Sequence, residues 1–125
     1  MAHINEFIGK ATYDFSVDGG AISAITPASN FTIPNNAIIT DVYMHTSTAM
    51  TTGGGSATVA LAIGGVTIHA AQAYDHADWD DEDVTLIEIN DKTTSSGSLT
   101  FTVATAALTA GVVNFYVKYF IAIES

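Results

Sequence analysis

The stretch ATYDFSV, residues 11–17, alternates strictly between apolar and polar side chains. Its apolar members fall at every second position, and they are Ala11, Tyr13, Phe15 and Val17. Because successive side chains of a β-strand point to opposite faces of a sheet, a period of two predicts a strand with one buried face. The stretches SATVALAI (56–63) and SLTFTV (98–103) repeat the pattern and indicate a β-rich fold.

Further strands are predicted along the rest of the chain. They are AISAIT (21–26), AIITDVYMHT (37–46), VTIHAA (66–71), VTLIEI (84–89) and VVNFYVKYFIAI (112–123). Glycines between them supply tight turns. The segment ATAALTAG (104–111) fits either one helical turn or a crossover of small residues. About eight short strands with closely spaced turn signals predict a single-domain antiparallel β-sandwich of jelly-roll-like type.

The charge balance of the chain excludes two classes of partner. Three lysines face thirteen acidic residues among 125, which gives a formal net charge of −10. Nucleic acid and anionic membrane surfaces both require cationic groups, so neither is an expected partner. Charged residues make up only 13% of the chain, against about 25% in ordinary domains. A surface of this kind, rich in threonine and glycine, is common in β-proteins that sit in assemblies.

The stretch DHADWDDED, residues 75–83, concentrates six carboxylates in nine residues. Calcium prefers carboxylate and carbonyl oxygens, and alternate acidic residues from Asp78 onward resemble the start of an EF-hand loop. The EF-hand interpretation fails, because Asp83 stands where that loop requires glycine and Ile89 where it requires glutamate.

Two interpretations of this loop remain. It is either a solvated loop that like charges extend, or a calcium site of another type, with Asp75, Asp78, Asp80 and Asp83 as weak candidate ligands. Trp79 lies among these acids, and a large aromatic side chain in such a loop is expected to anchor either the loop or a partner.

No catalytic constellation is predicted, so the chain is expected not to be an enzyme and to carry no cofactor. The absence of cysteine excludes a thiol nucleophile. The stretch GGGSAT around Ser56 falls short of a nucleophile elbow, because Thr58 stands where the motif requires glycine. His45, His69 and His76 have no spacing typical of a zinc site, and ordinary surface or half-buried roles are expected for them.

The last predicted strand is apolar on both faces. Its second face carries Tyr116 and Phe120, broken by Asn114 and Lys118. Such a strand is either central in a sandwich, with a partly covered second face, or pressed against another subunit. Tyr116 and Phe120 are therefore candidate partner-binding residues.

The overall layout of residues 29–123 resembles that of a known family. The pattern begins with Ile33, Pro34, Ala37, Ile38 and Ile39 before a long strand. It continues with SATVALAIG and with LTAG ahead of the last strand. This layout resembles the small β-sandwich decoration proteins, also called cement or head auxiliary proteins, of tailed bacteriophages.

The resemblance implies a non-enzymatic structural protein on the capsid exterior of a virion, made in the host cytoplasm. It would bind the major capsid protein of the assembled shell and stabilise it, often as a homotrimer. Residues 1–9 would then form an N-terminal arm along a neighbour, with Phe7 and Ile8 as apolar anchors, and residues 10–125 the sandwich domain.

A second hypothesis belongs to a different class. The chain would be a receptor- or glycan-binding domain of a phage tail or surface adhesin. In that case loop 72–83 would be supported by calcium, and Trp79 would stack on a sugar ring.

Overall fold

Ten antiparallel strands form the framework of the part of the chain that the structure describes. The structure is a computed structural model that describes the backbone of residues 2–79 and 84–124 and the side chains of residues 6–79 and 84–121. In chain order the strands are β1 (Ala2–Asp14), β2 (Ser23–Ile25), β3 (Thr32–Ile33), β4 (Ile38–Thr52), β5 (Thr58–Ile63), β6 (Val66–Ala73), β7 (Val84–Lys92), β8 (Gly97–Ser98), β9 (Thr100–Ala104) and β10 (Leu108–Glu124). A one-turn helix, α1 (Phe15–Asp18), follows β1, and a 3₁₀ turn (Ala77–Trp79) follows β6.

The strands form two four-stranded sheets and one small ribbon. The first sheet has the order β1-β10-β4-β7 and the second the order β2-β9-β5-β6, while β3 pairs with β8. Neighbouring strands are antiparallel throughout these pairings. The predicted antiparallel β-sandwich is therefore confirmed, with ten strands in place of about eight. No helix within the described residues is long and apolar enough to cross a membrane.

Aromatic side chains join the two sheets. Tyr13 of β1 stacks on Phe101 of β9 with 4.4 Å between ring centroids, and Phe101 lies 6.1 Å from Phe115 of β10. All three side chains are fully buried. Burial of one large apolar side chain contributes about 1.5–3 kcal/mol relative to its exposure, so these contacts are a major source of stability.

The first predicted strand ends earlier than its alternation indicates. Asp14 accepts a hydrogen bond from the backbone N–H of Ser16 and thereby caps α1, which ends at Gly19 with φ of 76°. Val17 is consequently 66% exposed and does not share the buried face of Tyr13. Aspartate is a preferred N-cap residue. Its cap on α1 ends the strand here, although the apolar alternation continues to Val17.

The segment 104–111 forms a turn followed by the start of β10. Thr105 adopts φ of 74°, and Leu108 already belongs to the strand. Of the two predicted alternatives, the helical turn is not formed. β10 then runs between β1 and β4, so its inner face is buried, as the prediction of a central strand requires.

Residues 2–9, predicted as an arm, form the first part of β1. Ala2 through Asp14 pair without interruption with β10, from Ala2 opposite Glu124 to Asp14 opposite Val112. The pairing of β10 with β4 ends at Phe120 opposite Ile38. The ends of β1 and β10 therefore continue beyond β4 as a two-stranded ribbon.

The buried hydroxyl of Tyr13 makes stability depend on pH in the alkaline range. It donates a hydrogen bond to the Gly19 carbonyl at 2.6 Å. Burial, with smaller contributions from the charges of Asp18 and Asp14, raises the pKa of Tyr13 from 10.0 to about 12. The folded protein therefore holds this proton more tightly than the unfolded chain. The resulting stabilisation is complete below pH 10 and is lost as pH rises through about 12.

We expect Tyr13→Phe to lower the free energy of unfolding by about 1 kcal/mol at neutral pH, because a buried hydrogen bond is lost. Between pH 10 and 12 the wild type should lose stability faster than the variant, so that the difference shrinks or reverses. Thermal unfolding of both proteins across this range measures it. A difference in Tm that stays constant with pH would contradict the assignment.

Candidate interaction surface

The outward side of the first sheet presents four rows of side chains that the strand register aligns. We call this surface the outer face. Going from β1 to β7, its rows are Thr12, Asn114, His45 and Val84; Lys10, Tyr116, Tyr43 and Leu86; Ile8, Lys118, Asp41 and Glu88; and Glu6, Phe120, Ile38 and Lys92. Residues directly opposite one another in an antiparallel pair point to the same face, so each row is continuous across the sheet.

Apolar groups are concentrated in the outer face. Ile8, Tyr43, Val84 and Leu86 are exposed large hydrophobic residues, and Tyr116 and Phe120 are half-buried. Contiguous exposed apolar side chains rimmed by polar ones mark interaction sites in soluble proteins. The two candidates on the last strand, Tyr116 and Phe120, thus belong to a larger surface.

The outer face is electrically balanced. It contains all three lysines of the chain, Lys10, Lys92 and Lys118, together with three of the thirteen acidic residues. Lys118 Nζ lies 3.7 Å from Glu6 Oε2, and Lys10 Nζ lies 5.7 Å from the centroid of the Tyr116 ring. The net charge of −10 therefore resides outside this face. Because the outer face itself carries no net charge, electrostatic repulsion opposes its close contact with another protein less than it would at an acidic surface.

Sequence reasoning missed Tyr43, Val84 and Leu86. The sequence contained the information for the strand 84–89, because VTLIEI carries apolar residues on both faces of the strand, as the last strand does. Ile87 and Ile89 pack against the core, and Val84 and Leu86 project from the other side. The criterion that singled out Tyr116 and Phe120 would have found these residues too.

Phe7 and Ile8, the predicted anchors of an arm, point to opposite sides of β1. Phe7 stacks on Tyr119 at 5.4 Å, and Tyr119 stacks on Phe31 at 6.2 Å. Gly9 permits this arrangement, because a Cβ there would overlap the Phe31 ring. Phe7 is thus engaged within its own chain, whereas Ile8 is exposed on the outer face.

Trp79 is buried rather than presented to a partner. Its side chain is 2% exposed and lies with its ring centroid 5.1 Å from His69 and 5.9 Å from Phe101. It therefore anchors the loop to the core, which was one of the two expected roles. In this position the indole presents almost no surface on which a sugar could stack, as the adhesin hypothesis requires.

The carboxylate of Asp78 contacts two histidines. His69 Nε2 donates to Asp78 Oδ2 at 2.9 Å, and His76 Nδ1 lies 3.6 Å from the same oxygen. The other ring nitrogen of His69 lies 2.8 Å from the Ala70 carbonyl oxygen. These contacts hold the start of the acidic loop against β6.

The calcium hypothesis is only partly within reach of the structure. Asp75 is exposed and Asp78 is engaged by His69, while Asp80 and Asp83 lie outside the described residues. Among the described side chains, those of residues 6–79 and 84–121, no group of three or more His, Cys, Asp or Glu is arranged to hold a metal ion. Calcium binding by this loop stays a prediction.

Comparisons with known proteins reveal likeness in structure and none in sequence. No family model matches the chain, and no curated protein matches it. A chain in the acidic stable capsid structure of Helicobacter pylori bacteriophage KHP30 is 15% identical, with all of both chains covered and a TM-score of 0.61.

Two further solved structures are similar to this chain. A chain of the cyanophage Pam1 capsid asymmetric unit is 17% identical, with 94% of this chain and 86% of that chain covered and a TM-score of 0.66. A chain in the capsid of Ralstonia phage GP4 is 13% identical, with 95% and 85% covered and a TM-score of 0.53. At these identities the likeness shows a shared jelly-roll-like fold.

The contact between His69 and Asp78 predicts unequal effects for two acidic residues of the loop. We expect Asp78→Ala to lower the free energy of unfolding by about 1–3 kcal/mol, because it leaves a buried ring nitrogen without its partner. Asp75→Ala, the matched control, removes an exposed carboxylate and should change stability little. Urea unfolding of both variants measures this, and equal losses would argue against an anchoring role for Asp78.

Proposed function

We propose that this protein is a non-enzymatic structural component of a bacteriophage virion that binds the outside of the assembled capsid and stabilises it. The observation that carries the proposal is the likeness in fold to chains of three phage capsid structures, at TM-scores of 0.53 to 0.66 over 94–100% of this chain. The likeness extends over nearly the whole chain rather than one motif. The sequence layout of residues 29–123 likewise resembles proteins of bacteriophage capsids.

The outer face is our candidate for the surface that contacts the shell. It combines exposed apolar side chains with an equal number of lysines and acidic residues, and it lies on four paired strands. Close contact with a large protein surface removes apolar side chains from water, and this face allows it without burying a net charge. The acidic remainder of the molecule would then face solvent, where like charges oppose nonspecific association.

The partner in this proposal is the major capsid protein, and the site is the virion exterior. The protein would be made in the host cytoplasm and added as a homo-oligomer, with a trimer favoured. We assign it no catalytic role. Burial raises the pKa of Tyr13 to about 12, and its hydroxyl is hydrogen-bonded in the core rather than held in a cleft.

Co-sedimentation with empty shells of the accompanying major capsid protein tests the proposal. We expect saturable binding, and a rise in the temperature at which the shells dissociate. Binding and Tm should be unchanged by EDTA, whereas loss of both on chelation would favour the calcium-dependent adhesin. Assembly of this chain alone into shells would instead make it a shell-forming protein, and an absence of binding would overturn the proposal.

A charge on the β7 side of the outer face should weaken capsid binding without unfolding the protein. Leu86→Lys places an ammonium group beside Tyr43, and we expect at least about a tenfold loss of affinity, which is roughly 1.4 kcal/mol. Leu86 is 49% exposed, so Tm should change little. The matched control is Ile22→Lys, at a residue 58% exposed and outside this sheet. Equal binding by the two variants would exclude the outer face.

A further inference from the structure

The free edge of β1 is a second surface with a distinctive arrangement. β1 is the outermost strand of the first sheet, and in the described chain its edge is covered at one point, where Thr12 pairs with Ser29. From Glu6 to Lys10 the backbone at this edge has no strand beside it. Unpaired N–H and C=O groups along a strand edge are a template for another strand.

One hydrogen bond fixes which residues offer these groups. The Thr12 N–H donates to the Ser29 carbonyl at 2.9 Å, so it points away from β10. The N–H and C=O of one residue in a strand point to the same side, and the side alternates along the chain. Glu6, Ile8 and Lys10 have the parity of Thr12 and therefore direct both groups toward the free edge.

We propose that this edge pairs with the same edge of a second copy of the chain, antiparallel about a two-fold axis at Ile8. In that register Ile8 faces Ile8 of the other copy. Glu6 of each copy faces Lys10 of the other, so the sequence of the edge is complementary to itself in charge. At each of these three positions the backbone N–H donates to the residue directly opposite and the backbone C=O accepts from it, as in a hydrogen-bonded pair of an antiparallel sheet.

The charges and the neighbouring segment both favour this register. Shifting the axis to Glu6 would set two glutamates opposite each other, and like charges directly opposed destabilise a sheet. Ser29 occupies the edge at Thr12, so the paired stretch ends at Lys10 and each strand diverges from its partner beyond Glu6. The contact is short, so association in solution is weak, and a surface or shell that concentrates the copies would strengthen it.

Repulsion between two chains of charge −10 is small in this arrangement. The described carboxylates of the acidic loop, Asp75 and Asp78, lie between β6 and β7 in the chain, and β7 is the opposite edge of the first sheet. Pairing through β1 forms one sheet of eight strands with the two β7 strands at its ends, about 34 Å apart at about 4.8 Å per strand spacing. The screening length is about 8 Å at physiological ionic strength, so charges beside one β7 strand scarcely interact with those beside the other.

Cysteine cross-linking tests this pairing directly, because the chain has no cysteine of its own. Opposed residues at the axis would have Cα atoms about 5.5 Å apart, within the range of about 4.4–6.8 Å that a disulfide spans. We expect Ile8→Cys to form a covalent dimer under mild oxidation at least about tenfold faster than Val17→Cys, because pairing raises the effective concentration. The control is matched, since Ile8 is 68% and Val17 66% exposed.

Charge reversal in the Ile8→Cys protein tests the register. Glu6→Lys sets two lysines against each other on both sides of the axis and should slow cross-linking to the rate of the Val17→Cys control. Lys10→Glu should do the same with two glutamates. The double reversal restores complementarity and should restore the rate. Equal rates for Ile8→Cys and Val17→Cys, reversals without effect, or a double reversal that stays slow would each overturn the proposal.

The inference does not depend on the proposed function, because cross-linking uses the isolated protein. Ile8→Pro gives a second measurement on a chain without cysteine. It removes an N–H that points to the free edge and none that bonds β10, so the fold should persist while self-association measured by sedimentation equilibrium is lost. Ile8→Ala keeps the N–H and should retain measurable association. Equal association by wild type and Ile8→Pro would contradict edge pairing.

Discussion

The pairing of β10 with β1 on one side and β4 on the other is the constraint on which the rest of the structure depends. The inward side chains of β10, Val113, Phe115 and Val117, are fully buried in the sandwich. Its outward side chains include Tyr116 and Phe120 of the outer face. One strand therefore supplies the middle of the core and the middle of the candidate interaction surface. A strand that is buried on one face and half-covered on the other needs apolar residues on both faces, and the sequence of β10 has them.

Local patterns were sufficient to predict the longer strands, but neither their lengths nor the two-residue strands β3 and β8. β4 continues to Thr52 through a stretch rich in threonine, and β10 begins at Leu108, before the apolar run. Contacts between the two strands explain both extensions. The Thr51 and Thr109 hydroxyls lie 2.7 Å apart, and the Thr52 hydroxyl donates to the Ala107 carbonyl at 2.7 Å. Pairing partners distant in sequence thus extend strands where the local apolar pattern has ended.

The candidate surface could be predicted only in part, for a related reason. The sequence of the last strand singled out Tyr116, but which residues lie beside it depends on the register with β4 and β7. Tyr43 pairs with Tyr116, 73 positions away in sequence, and with Leu86, 43 positions away, so that the three residues form one row. Trp79 illustrates the converse, since its acidic neighbours in sequence suggest solvent while packing against Phe101 buries it. Long-range contacts decide both outcomes, and composition does not contain them.

The position of β10 also has a consequence for synthesis. β10 is an inner strand of the first sheet, and in the described chain β1 pairs with no other named strand. β1 therefore has no partner strand until β10 has been made, and closing a connection of about one hundred residues precedes any stabilisation from that pairing. Folding dominated by such distant contacts is slow and leaves strand edges open in the meantime. The first sheet therefore cannot be completed before β10 has been made.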